Sequence, residues 1–373
     1  MGHSSCDVLI AGGGPAGLAA AIALRHRGAD VLVADALRPP IDKPCGEGLM
    51  PDSRRELARL GVGVHADQGA EFQGILFAQD GAQCAADFPR GTGIGVRRPV
   101  LHRLLLDRAT ELGVRMAWGT AVSAQPRKAI LVGGESCAYR WIVGADGVTS
   151  QTRRWAGLEP AEVSSRRFGF RAHFRVAPWS RYVEIHWGTL GQAYVTPVGP
   201  DEVCVAAITR HTGLRLADIL AGIPCLQQKL SCAGRNTPER GAVTLTRRLQ
   251  QVTRGNVALI GDASGSADAI TGEGLAMGFR QAMLLAESLA GGSLDLYEAR
   301  HAAIVTLPQR MAAMMLLLDR FSGLRERALP VLAARPELFR RLLEVHVGEQ
   351  PLTRFLLRHG AAMGALLLAP RFA

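Results

Sequence analysis

Three glycines at fixed spacing, set between an apolar strand and an alanine-rich helix, constrain this chain more than any other feature. Asp7 to Ala11 reads as a short buried strand, Gly12-Gly13-Gly14-Pro15-Ala16-Gly17 follows, and a helix continues to about Arg27. Gly28 ends the helix, and Val31-Leu32-Val33 forms a second strand that closes on Asp35 and Ala36. Gly12 permits a tight turn, Gly14 lets the backbone approach a pyrophosphate, and Gly17 lets helix and strand pack closely. With Pro15 and Ala16 opening the helix, a phosphate placed there meets free N–H groups and the positive end of the helix dipole. Asp35, at the end of the second strand, can accept ribose hydroxyls. A lone G-x-G-x-x-G is weak; flanked by strand and helix and followed by the acid, it specifies a dinucleotide site. It does not say which dinucleotide.

Composition narrows the remaining classes. The chain has 373 residues, enough for about two domains or one large discontinuous one. Apolar residues make up 48%, charged residues 20%, and the mean hydropathy is +0.11, so a disordered chain is excluded. No apolar run approaches the roughly 20 residues that span a bilayer. The net charge of +10 comes from arginine, since Lys43, Lys128 and Lys229 are the only lysines. No block of like charges appears, and aromatics are 5%, which disfavours a nucleic-acid platform. The basic surplus allows peripheral contact with an anionic membrane. Seven scattered cysteines form no C-x-x-C pair and no zinc spacing, so a reduced, cytoplasmic protein without a metal site is expected. No G-x-S-x-G elbow supports serine hydrolysis.

Two later motifs select the cofactor. Gly144-Ala145-Asp146-Gly147-Val148-Thr149-Ser150, followed by Arg153 and Arg154, and Gly261-Asp262-Ala263 stand in order behind the glycine turn. Gly272-Glu273-Gly274-Leu275-Ala276 then opens a helix running to about Leu289. Together these resemble the flavoprotein hydroxylase superfamily whose founding fold is that of para-hydroxybenzoate hydroxylase. The resemblance covers most of residues 5 to 300. It implies that Asp262 binds the ribityl chain of FAD and that the Asp146 loop supports FAD and transient NAD(P)H binding. It also implies that the helix opened by Gly272, Gly274, Leu275 and Ala276 stabilises negative charge on the reduced flavin. Arg98, ahead of its competitor Arg97, starts a helix over 97–112 and is implied to contact the FAD phosphate or ribityl region.

The most distinctive local string is Lys43-Pro44-Cys45-Gly46-Glu47-Gly48-Leu49-Met50-Pro51. It resembles the loop along the isoalloxazine in the geranylgeranyl-reductase-like branch and in bacterial flavoproteins associated with type III polyketide synthases. The glycines around Glu47 let the backbone pass close to a flat ring. Lys43, Cys45 and Gly46 therefore join the cofactor residues, and Cys45 is a candidate for tuning the flavin or touching substrate. Strands between 166 and 210 carry Arg171, His173, His186 and Tyr194, expected to face the flavin; a histidine there can orient a phenol or take its proton. Tyr194-Val195-Thr196-Pro197 occupies the place where reductases and halogenases carry aromatic motifs ending in proline; the altered residues argue against a halogenase and weaken the reductase reading.

The fold implied is α/β: a glutathione-reductase-type, Rossmann-like FAD domain with an inserted mixed-sheet substrate domain and a helical C-terminal segment. Residues 1–72, 94–165 and 252–298 are assigned to the FAD domain, 73–93 and 166–251 to the substrate domain, and 299–373 to the helical segment. That segment reads as broken at Pro308, Pro330, Pro336 and Pro351, with apolar clusters at Met311 to Leu318 and Leu366 to Leu368. The implied function is an NAD(P)H-dependent monooxygenase acting through a flavin hydroperoxide on an aromatic or polyketide-like hydrophobic substrate. An ene reductase of isoprenoid or lipid double bonds is one alternative; a flavoprotein that modifies or matures a partner protein is another.

Overall fold

A computed structural model describes residues 4–79, 81–125, 128–131, 136–361 and 364; the Leu366 to Leu368 cluster lies outside the described residues. The first sheet is built on parallel strands in the spatial order Val257–Leu259, Ser136–Gly144, Ser4–Ala11, Val31–Asp35, Arg115–Trp118. Val8, Leu9, Ile10, Val31 and Val33 are buried because the sheet is covered on both faces, which explains the unbroken apolar runs. On one face the helices Pro15–Arg25, Arg98–Glu111 and Gly274–Ala290 bury Leu18, Ile22, Leu101, Leu105, Phe279 and Leu285 together. The expected amphipathic stripe Leu101, Leu105, Ala109 is fully buried, with Leu104 packed at its margin.

The second sheet runs in the order Gly234–Arg235, Pro160–Arg175, Glu202–Thr209, Gln192–Gly199, Tyr182–Trp187, Gly74–Gln79, Ala82–Asp87, with Arg240–Leu249 also paired to Pro160–Arg175. Its strands are antiparallel except Tyr182–Trp187 beside Gly74–Gln79. Side chains alternate between its faces. One face packs Ala172, Phe174, Ala193, Val195 and Val205 against the short helices Leu216–Ala221 and Pro224–Leu230. The register aligns His173 with Cys204 and Thr196, and Arg171 with Ala206 and Tyr194, on the opposite face. His186 pairs with Ala193 and so points the other way. Its Nε2 lies 2.7 Å from Glu184 and its Nδ1 is near Cys225 of the helix Pro224–Leu230. The expectation that His186 faces the flavin is corrected by this parity.

Three helices, Asp295–Arg320, Ser322–Ala334 and Pro336–His346, close over the second sheet. Met311, Met315, Leu332, Phe339 and Leu343 pack there with Phe77, Ile185 and Trp187. The expected breaks occur at Pro336 and Pro351, but Pro308 and Pro330 lie inside helices. An interior proline costs about 3 kcal/mol. Burial of Met311, Ala312 and Met315 just beyond Pro308 offsets that loss. A second expectation is also revised: by length and hydropathy, Asp295–Arg320 is long and apolar enough to cross a membrane. The proline and scattered arginines had masked it as a continuous apolar helix. One side of it packs against Gly274–Ala290 and Ser322–Ala334.

Candidate flavin and substrate site

The glycine turn forms because Gly12, Gly13 and Gly17 leave no room for a side chain. Gly12 has φ +115°, and a Cβ there would lie 2.4 Å from the Ala145 carbonyl oxygen; one on Gly17 would lie 1.9 Å from the Gly12 oxygen. Asp35 holds the turn itself: one carboxylate oxygen accepts from Gly13 N at 2.7 Å and the other from Leu37 N at 2.8 Å. Each oxygen keeps lone-pair capacity for a ribose hydroxyl. His102, a residue sequence reasoning passed over, donates from Nε2 to the Gly13 carbonyl at 2.9 Å. Burial pushes its pKa down, so it stays neutral in that role. Its signal was only its position one helical turn after Arg98.

Pro15 and Ala16 open the helix, and Ala16 is also where the two helices meet. A Cβ on Gly261 would come within 2.9 Å of the Ala16 Cβ, and one on Gly278 within 3.3 Å. Ala36 is exposed just after the strand. Asp146 is fully engaged in its own loop. It accepts from Ser150 Oγ, from Gln151 N at 2.7 Å and from Thr152 N at 2.9 Å, capping the helix Gln151–Trp155. Its position is as expected; its carboxylate shapes the loop.

Arg98 and Arg97 are separated by geometry. Arg97 pairs with Glu202 at 3.6 Å. The Nε and Nη1 of Arg98 are buried and make no hydrogen bond among the described residues. The Arg98 charge acts on Asp262, as do those of Lys43 and Arg247. Asp262 lies in an open cleft walled by protein, and desolvation by those walls raises its carboxyl pKa against the three cations. Gly261 N, just before it, donates to Gln281 Oε1 at 2.7 Å, and Gln281 Nε2 lies 3.0 Å from the buried His301. Neither Gln281 nor His301 was singled out from the sequence; a glutamine inside an apolar helix was the one signal.

Added side chains on Gly14, Gly46, Gly272 and Gly274 would meet nothing within 4 Å. These four positions come from three separated segments and each leaves open space beside its backbone. The helix Gly274–Ala290 offers the unpaired N–H groups of its first turn, from Gly274, Leu275 and Ala276. Ala276 contributes backbone only, since its side chain is buried in the core. An orphaned buried guanidinium, an open glycine cradle and two helix N-termini fit a dinucleotide that carries a pyrophosphate and an electron-accepting ring.

The Cys45–Gly48 loop has a centre that sequence reasoning treated as a spacer. Glu47 is buried and takes the left-handed conformation at φ +60°, rare outside glycine and asparagine. Its carboxylate accepts from Arg98 N at 2.9 Å and from His173 Nε2 at 2.6 Å, with Arg171 Nε at 3.9 Å. Thr237 Oγ1 and Arg171 Nη1 lie 2.8 and 3.3 Å from His173 Nδ1. Donors at Nδ1 leave the proton on Nε2, toward Glu47. Arg171 also pairs with Asp42. His173 is thus fully buried with both nitrogens engaged, and it holds the loop instead of facing open space. Cys45 is half-buried and its sulfur accepts from Glu47 N at 3.4 Å. Burial and Glu47 push the Cys204 thiol up, so it stays protonated. Tyr194 Oη sits between Gln192 Oε1 at 2.8 Å and the Ile270 carbonyl at 3.0 Å, bracing the segment ahead of Gly272. Desolvation raises its pKa, so it remains a phenol.

Beyond Ile270 and Thr271 lies an apolar cavity of about 180 Å³, bounded by Phe77, Ile185, Met311, Met315, Leu332 and Phe339. That is on the scale of the roughly 150 Å³ void that holds a benzene ring. The segment Ile270–Thr271 on the wall of this partly open apolar cavity runs directly into Gly272 and the start of the helix Gly274–Ala290.

The chain belongs to the FAD binding domain family, whose model matches residues 5–193. It is 29% identical over 319 residues to a menaquinone reductase of Mycobacterium tuberculosis, covering 76% of each chain. It is 28% identical over 376 residues to the 12-dehydrotetracycline 5-monooxygenase/anhydrotetracycline 6-monooxygenase of Streptomyces rimosus, covering 87% of this chain and 73% of that one. Its fold matches p-nitrophenol 4-monooxygenase PnpA of Pseudomonas putida with a TM-score of 0.78 at 18% identity, covering 93% of this chain and 100% of that one. The expected α/β flavoprotein fold, membership of the superfamily and FAD as cofactor are all borne out.

Proposed function

We propose that this chain is an FAD-dependent monooxygenase that uses NAD(P)H and oxygen to hydroxylate an aromatic or polyketide-like hydrophobic substrate. The observation that carries the reading is the segment Ile270–Gly274, which lines the apolar cavity at Ile270 and Thr271 and leads straight into the open glycines that start the helix Gly274–Ala290. Bound FAD supplies the redox chemistry, accepting a hydride and activating oxygen. The protein's own residues have three tasks. Gly12, Gly14, Gly17, Arg98 and Asp262 hold the dinucleotide. The Glu47–His173–Arg171 cluster fixes the loop that carries Cys45 and Gly46 beside the ring. The methionine- and leucine-rich wall excludes water and orients the acceptor. His173 and Tyr194 then act as positioning residues, one through Glu47 and one through Ile270. The domain limits given above remain our assignment, and seven cysteines that form no disulfide fit a reducing cytoplasm.

The test is isotopic. FAD-loaded protein is given NADPH, oxygen-18 gas and a panel of phenols, quinols and polyketide aromatics. Incorporation of one labelled oxygen into a product supports the reading; NADPH oxidation with only unlabelled products across the panel refutes it. A second reading, hydride delivery to an isoprenoid double bond, is favoured by the menaquinone reductase relative and the predominantly apolar wall. Anaerobic saturation of a prenyl chain by the reduced protein would establish it.

A further inference from the structure

Among the described residues lining the apolar cavity, only Thr271 and His346 carry polar side-chain atoms. They come from distant parts of the chain, the segment just ahead of Gly272 and the last turn of the helix Pro336–His346. Behind them is Glu273, with its Oε2 3.6 Å from His346 Nδ1. That is too long for a hydrogen bond. Thr271 Oγ1 and Glu273 Oε2 are both buried without a well-aligned hydrogen bond, and Thr271 lies close enough to Glu273 to favour its carboxylate. Glu273 is 3% exposed and His346 is 8% exposed. Burial raises the Glu273 pKa; His346, Arg280 and Thr271 oppose that rise, and Asp52 adds to it.

Thr271, Glu273 and His346 satisfy one another only in part, and polar atoms left with unused hydrogen-bonding capacity at one end of a hydrocarbon cavity are costly. Here they sit beside the loop that opens the flavin cleft, so a ligand that satisfied them would present its polar end to the redox centre. We propose that Thr271 and His346, backed by Glu273, are the head-group anchor of this cavity and determine its specificity. They would take a ring bearing a hydroxyl or carbonyl, whose remaining hydrocarbon fills the space against Met311, Leu332 and Phe339. Thr271 can donate or accept, and His346 can do either according to its tautomer, so both group types are accommodated. This rests on the cavity being the substrate site, as in the proposed function.

The experiment compares 4-pentylphenol with pentylbenzene by calorimetry on the FAD-loaded protein, its flavin content checked by absorbance. The wild type should bind the phenol at least about tenfold more tightly. His346→Leu and Thr271→Val should each reduce that preference to about one while leaving pentylbenzene affinity within roughly threefold. His346→Gln, which keeps a polar head, should retain part of the preference and guards against misfolding of the leucine variant. Survival of the full preference in both apolar variants overturns the anchor. Equal binding of the two ligands by wild type overturns the anchor but leaves the cavity as the substrate site. Binding of neither ligand overturns the cavity reading, and the anchor falls with it.

Discussion

Replacing Arg98 with methionine separates cofactor binding from folding. The Arg98 guanidinium has two buried nitrogens, Nε and Nη1, without hydrogen bonds, whereas its backbone N–H holds Glu47. Methionine keeps the backbone contact and a similar stem, and removes only the charge and the donors. A hydrogen bond to a charged group contributes about 1.5–3 kcal/mol. Two such bonds to FAD oxygens, at the low end of that range, amount to about 3 kcal/mol, or roughly a hundredfold in Kd. The apoprotein should weaken little, because the desolvation of a guanidinium without hydrogen bonds offsets its attraction to Asp262. Arg98→Lys keeps the charge but loses the planar fork, so an intermediate loss of about tenfold is expected. The assay is titration of apoprotein with FAD, followed by flavin fluorescence, beside thermal melting without FAD. An FAD Kd within threefold of wild type would refute the placement of Arg98 on the cofactor. A large drop in the apoprotein Tm would show that the guanidinium serves the fold.

Further outcomes follow from single positions. Gly14→Ala should leave the apoprotein Tm within about a degree, because its Cβ meets nothing, yet weaken FAD binding; Gly17→Ala should prevent stable folding, because its Cβ would lie 1.9 Å from the Gly12 oxygen. His301 is buried and its pKa is pushed down to about 4 from an ordinary 6.5. The unfolded chain therefore binds the proton first, so stability is fully present above pH 6.5 and is lost as pH falls toward 4, by up to about 3 kcal/mol. His301→Gln should flatten that slope in denaturant titrations across the window. Ala328→Trp, on the cavity wall, should abolish turnover of hydrophobic substrates while leaving FAD affinity unchanged, as read by parallel kinetics and flavin titration.

Local physics was readable without coordinates. The glycine turn, the helix behind it and Asp35 depend on neighbours within a few dozen residues, and their spacing encodes backbone geometry directly. The same holds for the Asp146 loop, whose capping bonds all fall within six residues. What could not be read was parity and distance. His173 and His186 lie on different strands, and only the register across the strands between them puts the two on opposite faces of the sheet. Glu47 looks like a spacer until His173, 126 positions away, reaches it. Pro308 and Pro330 broke a pattern that tertiary burial then restored. The sequence by itself determined the cofactor turn and the class of fold, because those follow from short-range sterics. Only the tertiary structure decided that Arg97 pairs with Glu202 while Arg98 keeps two buried nitrogens without hydrogen bonds, that His173 serves the loop, and that Thr271, Glu273 and His346 meet. Each of those outcomes depends on packing between segments far apart in the chain, whose order of approach no local pattern records.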